Sequence, residues 1–138
     1  MSENSKNPSV FPMGNELPET FSKYFIGQAY LQPLTDKGGP VANVTFEPFC
    51  RNNWHIHHAK SGGGQILLVT GGKGWYQEWG KPAQALSPGD VVVIPPEVKH
   101  WHGAAADSWF SHLAIEVSGE ETSNEWLEAV EDDVYSKL

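Results

Sequence analysis

Two short stretches of this sequence carry histidines at the same spacing, His55-Ile56-His57 and His100-Trp101-His102. Side chains of a β-strand point alternately to opposite faces, so on strands the two histidines of each stretch share a face while Ile56 and Trp101 point away. Two imidazoles so placed stand about 6 to 7 Å apart at the backbone and can converge on one ion at about 2.0 to 2.2 Å from each nitrogen. Two such strands facing each other could close a site for one divalent transition metal. Nitrogen and oxygen donors suit manganese, iron, nickel, cobalt or zinc without choosing among them.

The surrounding sequence has to supply those strands. From Phe21 onward, short apolar runs are broken by Gly, Pro and Asn: Lys23 to Leu34, Ala42 to Pro48, Trp54 to His58, Gln65 to Thr70, Gly74 to Glu78, Gln84 to Leu86, Asp90 to Ile94, and Phe110 to Val117. Turn chemistry such as Lys37-Gly38-Gly39-Pro40 and Ser87-Pro88-Gly89-Asp90 lies between them, which predicts an all-β sandwich or barrel. Strand parity sends Gln65, Leu67 and Val69 to one face, His112, Ala114 and Glu116 to one face, and Ala42, Val44 and Phe46 to one face opposite Asn43, Thr45 and Glu47. If these faces line one interior, they make an apolar pocket with a polar cluster at one end, the general look of a small-ligand site.

Three segments are expected: a flexible arm over residues 1–17, free or ordered only against a partner subunit, the β-domain over 18–120, and a helix over 121–138. Thr122 or Ser123 would cap that helix, and Trp126, Leu127, Val130 and Val134 would form the stripe that packs on the outside of the barrel. A chain of 138 residues is one domain's worth. With 9 Lys plus Arg against 17 Asp plus Glu, the net charge of −8 disfavours nucleic acid and anionic membranes and leaves a small molecule as the expected partner. The single cysteine, Cys50, reads as a small buried hydrophobe. With no disulfide possible, no apolar leader and no membrane span, a cytoplasmic protein is expected.

The histidine motifs resemble those of the cupin superfamily. Its first signature is similar to His55-Ile56-His57 followed by Gln65 and Gly72, its second to Gly89, Pro95 and His100, together spanning Pro48 to Ala104. The resemblance implies a double-stranded β-helix, or jelly roll, with His55, His57, Gln65 and His100 as metal ligands and His102 and His112 as pocket histidines near the substrate. It also implies a homodimer or higher oligomer, with the N-terminal arm a candidate for strand exchange. Phe49 and Glu97 stand where the family motifs have glycine. The gap from His57 to Gln65 is longer than usual and contains Gly62-Gly63-Gly64, which makes the adjacent His58 the alternative fourth ligand. His58 has the wrong parity unless the strand ends or bulges there, so Gln65 is preferred.

Val44-Thr45-Phe46-Glu47-Pro48, His100-Trp101-His102-Gly103-Ala104 and His112-Leu113-Ala114-Ile115 resemble a subgroup of small bacterial single-domain cupins. That subgroup includes manganese-dependent hydroxynitrile lyases and carboxymuconolactone-decarboxylase-like proteins, so manganese is the first ion expected, with Fe, Zn, Ni or Co behind it. Three imidazoles and an amide leave the ion's charge uncompensated, a Lewis acid suited to a small oxygenated organic molecule. The implied activity is a lyase of the cyanohydrin carbon–carbon bond, in which His102 or His112 moves a proton. The alternatives are a cupin dioxygenase and a metal-loaded binding protein without turnover. Glu116 reads either as a pocket acid or as a solvated strand end, and Trp54, Trp75, Trp79, Trp101 and Trp109 as core or subunit-contact residues.

Overall fold

Alternation in sequence becomes alternation in burial: Gln65–Gly72 buries every second residue beginning with Gln65. The computed structural model describes residues 7–138. In chain order its strands are β1 (Asn15–Glu16), β2 (Phe25–Ile26), β3 (Ala29–Thr35), β4 (Val41–Phe46), β5 (Arg51–Asn52), β6 (His55–His58), β7 (Ser61–Gly62), β8 (Gln65–Gly72), β9 (Gly74–Glu78), β10 (Gln84–Leu86), β11 (Val91–Ile94), β12 (His100–Ala104), β13 (Phe110–Glu116), β14 (Gly119–Glu120) and β15 (Ser123–Trp126). Two one-turn helices, α1 (Glu19–Ser22) and α2 (Asp132–Tyr135), complete the elements. The run from Lys23 to Leu34 is split at Gly27, whose φ of 93° and close approach to Cys50 exclude a side chain.

Antiparallel pairing gives a six-stranded sheet in the order β1-β3-β4-β13-β8-β11 and a second sheet in the order β10-β9-β12-β5-β2, with β6 beside β12 and β15 beside β6. These are two antiparallel layers, as expected of a jelly roll. Phe46, Leu67, Val69, Tyr76, Leu86, Ile94 and Phe110 form the principal buried cluster, each 5% exposed or less. Cys50 lies in the same cluster, and burial pushes its thiol up to about 12, so it is an inert hydrophobe.

Residues 7–17 do not hang free as an arm. Asn15 and Glu16 pair with Leu31 and Tyr30 of the same chain. Ser9 Oγ bonds Asn43 Oδ1 at 3.1 Å, and Asn43 Nδ2 donates to Pro12 O at 3.3 Å. This segment explains why the outer-face residues Asn43, Thr45 and Ser111 are fully buried: their polar groups are satisfied beneath it, with Thr70 Oγ1 at 2.8 Å from Ser111 Oγ. The remaining residues of the expected arm, 1–6, lie outside the described part.

The C-terminal segment corrects a second expectation. A short helix is present, but only over Asp132–Tyr135, and Ser123–Trp126 is a strand. Capping and apolar spacing each contribute about 1 kcal/mol or less to a helix, and here a free sheet edge offers more. Ser123, Asn124, Glu125 and Trp126 pair with His58, His57, Ile56 and His55. Val130 and Tyr135 then pack with Trp54 and Trp101 into a second buried cluster on the outside of that sheet, while Val134 stays 42% exposed. Fully buried Arg51 ties the segment down, its Nη2 donating to Val130 O at 2.7 Å and to Asp132 Oδ1 at 2.6 Å.

Candidate metal centre

β6 and β12 lie side by side with His100 opposite His55, so the two histidine motifs meet as strand parity predicts. A ring nitrogen from each of His55, His57 and His100 lies within 4.8 Å of the others. The opposite side of each ring is held by an oxygen: His55 Nδ1 by Asn53 O at 2.8 Å, His57 Nδ1 by Asn124 Oδ1 at 2.8 Å and His100 Nδ1 by Val98 O at 2.9 Å. An oxygen acceptor fixes the proton on Nδ1 and leaves the Nε2 lone pair free, the tautomer a metal requires. His57 Nε2 and His100 Nε2 are buried without a hydrogen-bond partner. Burial, with the repulsion that protonated His100 and His57 would exert, holds the His55 pKa well below its ordinary value, and burial lowers that of His100 to about 4. Both rings are therefore neutral near pH 7. Three oriented imidazoles, two of them with a buried and unpartnered Nε2, fit a divalent ion.

Gln65 is buried, lines one cavity with His55 and His57, and starts β8 directly opposite Glu116 of β13. Gly62, Gly63 and Gly64 bring the chain there through three consecutive positive φ angles of 62°, 84° and 92°, and a Cβ at Gly64 would meet Ile94 O at 2.4 Å. The longer loop is thus folded so that Gln65 enters the sheet facing inward. His58 points the other way. Both its ring nitrogens are taken by carboxylates, Nδ1 by Glu97 at 2.6 Å and Nε2 by Glu125 at 2.7 Å, which raise its pKa and favour a cation rather than a ligand.

Glu97 and Phe49 adopt φ of 69° and 78°, the glycine-like backbone expected of those motif positions. Such a conformation costs a side chain about 1 to 2 kcal/mol. Glu97 makes use of it, because its carboxylate also accepts from Ala59 N at 2.9 Å and so staples the loop beside His57.

His55 and His57 open onto a cavity of about 810 Å³ whose wall includes Ala42, Val44 and Phe46, as parity predicts, together with His102 and His112. His102 and His112 meet edge to face with ring centroids 4.8 Å apart. Burial lowers the pKa of both, that of His112 to about 4, and keeps them neutral. Asn52 holds His102, accepting from its backbone N–H at 2.9 Å and placing Nδ2 3.2 Å from Nε2. Leu17, Phe21, Phe25, Leu31 and Trp126 make the rest of the wall apolar. A smaller cavity of about 400 Å³ shares His57, Glu116 and Asn124 as walls.

Three residues here escape sequence reasoning. Asn124 and Trp126 belong to the stretch expected to be helical, yet one orients His57 and the other stacks on His55 at 4.6 Å between centroids. Asn52 is flanked by Arg51 and Asn53 in a polar run that carries no motif. The only available signal was the spacing of Asn52 and Asn53 just before the first histidine motif.

A jelly roll whose two layers enclose three converging imidazoles is a cupin centre, and the chain belongs to the AraC-like ligand binding domain family, which matches residues 45–133. It is 40% identical over 118 residues to an (R)-mandelonitrile lyase of Granulicella tundricola, covering 83% of this chain and 87% of that protein. A cupin-like protein of Thermotoga maritima superposes with a TM-score of 0.79 at 40% identity, over 94% of this chain and 96% of that one. A cupin-2 domain of Rhodospirillum rubrum shares the fold at 17% identity, with a TM-score of 0.63 over 96% and 86% of the two chains. No helix among the described residues is long and apolar enough to cross a membrane.

Proposed function

We propose that this protein is a metal-dependent lyase that splits an aromatic cyanohydrin of the mandelonitrile type into an aldehyde and hydrogen cyanide. The observation that carries the reading is an apolar cavity lined by His55 and His57 of the converging trio and by the buried, neutral His102 and His112, of which His112 has neither ring nitrogen hydrogen-bonded. The 40% identity to an (R)-mandelonitrile lyase supports it. His55, His57 and His100, with Gln65 as fourth donor, would hold manganese or a similar divalent ion, whose charge polarises an oxygen of the substrate. The apolar wall beside His55, with Phe25 and Trp126, would receive the aryl ring and exclude water. His102 or His112 accepts the hydroxyl proton as the carbon–cyanide bond breaks. Its electron pair leaves with cyanide, the oxygen's pair forms the carbonyl, and the proton passes to cyanide.

The test is to incubate the manganese-loaded and the metal-stripped protein with racemic mandelonitrile, following benzaldehyde by absorbance and the remaining enantiomers by chiral chromatography. Enantioselective, metal-dependent benzaldehyde formation is expected. Formation no faster than the protein-free blank would sink the lyase reading. A second reading, a binding protein without turnover, is favoured by the family's ligand-binding description. It requires that His102→Ala leave ligand affinity intact while no product is ever formed.

A further inference from the structure

The Gln65 side chain ends in two atoms of opposite chemistry, and only the oxygen can ligate a cation, since the nitrogen carries donors alone. The two ends differ little in shape, so a glutamine at a metal centre needs something to decide which one faces the ion. Glu116 stands directly opposite Gln65 in the β8–β13 ladder, and Gln65 Nε2 donates to Glu116 Oε1 at 2.6 Å. Both residues are clamped by backbone: Glu116 N–H donates to Pro40 O at 3.2 Å, and Val117 N–H to Gly64 O at 3.2 Å. An ionised carboxylate only accepts, so the reversed amide would lose this bond and set oxygen against oxygen. Glu116 is not among the converging donors themselves.

We propose that Glu116 is a positioning residue of the metal centre: by accepting the Gln65 amide hydrogens it holds the carbonyl oxygen toward the imidazoles. Its negative charge, one hydrogen bond from a donor set that has none, also strengthens that oxygen as a donor. The proposal rests on the metal-binding half of the proposed function and is independent of the cyanohydrin.

The experiment titrates Mn(II) into chelator-stripped protein and reads the free ion by electron paramagnetic resonance. It compares wild type, Glu116→Leu, Glu116→Gln, Gln65→Ala, and Gln65→Ala with Glu116→Leu, after thermal melts of the metal-free proteins have confirmed folding. Glu116→Leu should weaken Mn(II) binding about 10- to 100-fold. Glu116→Gln, whose own carbonyl can accept the same bond, should lose less. With Gln65 already Ala, Glu116→Leu should add less than about twofold, because the two act as one unit. Wild-type affinity in Glu116→Leu, an undiminished loss in the Gln65→Ala background, or wild-type affinity in Gln65→Ala would each overturn the positioning role. A wild-type protein that binds no Mn(II) removes the metal centre and this role together. The predicted pattern without cyanohydrin cleavage upholds the role and removes only the lyase reading.

Discussion

His112 has no exposed surface where β13 lies between Val44 of β4 and Val69 of β8, and neither ring nitrogen has a hydrogen-bond partner. Burial lowers its pKa from 6.5 to about 4, with the Leu113 backbone pulling weakly the other way. The unfolded chain therefore takes up a proton on His112 well above the pH at which the folded chain does. Stability from this group is complete above its unfolded pKa and is lost as pH falls toward the folded one, at up to about 1.4 kcal/mol per pH unit. The loss amounts to about 2 to 3 kcal/mol by about pH 4.5. His112→Leu removes the titrating group and leaves an apolar side chain between two valines. The assay is urea unfolding of the metal-free protein at about pH 7.5, 6 and 4.5, for wild type and variant. The other buried histidines lose stability with the same sign in both proteins and largely cancel in the difference. Their residual coupling acts in the same direction, since His112 helps to depress His102. Wild type should lose about 2 to 3 kcal/mol more than His112→Leu on acidification. An equal loss in both would refute the assignment of that proton to His112.

Other outcomes follow from the same geometry. His55→Ala and His57→Ala should each purify with metal content near background by elemental analysis, because losing one of three converging imidazoles leaves too few donors to retain the ion through purification. Arg51→Met should cost about 2 to 4 kcal/mol in urea unfolding, since it orphans the buried Val130 carbonyl that Arg51 holds at 2.7 Å. Asp132→Ala should cost less than about 1 kcal/mol in the same measurement, its carboxylate being 77% exposed. Turnover of mandelonitrile should be unchanged under strict anaerobiosis, because carbon–cyanide cleavage balances without an oxidant. Loss of turnover there would favour the dioxygenase alternative.

Much of the site was legible in the sequence because strand parity is local. The i, i+2 spacing places His55 and His57 on one face, and the same rule sorts Ala42, Val44 and Phe46 from Asn43 and Thr45, whatever the rest of the chain does. Parity already preferred Gln65 to His58, but the path of the glycine loop and the two carboxylates on His58, which come from residues 39 and 67 positions away, are not local and could not be read there. Ser123 to Trp126 misled for a related reason. Cap and apolar spacing describe what the segment prefers alone, whereas the unpaired edge of β6 offered backbone bonds and a ring to stack on.

By itself, then, the sequence determined an all-β chain with His55 and His57 on one strand face and His100 and His102 on another, since residue type and a two-residue period suffice for that. Tertiary structure alone decided that residues 7–17 seal the outer face over Asn43, that Asn124 orients His57, and that Glu116 meets the amide of Gln65. Each of those contacts joins residues at least 31 positions apart, and their meeting depends on sheet register. Hydrophobic alternation and turn geometry constrain register locally, but which distant strands become neighbours is decided by the packing of both layers.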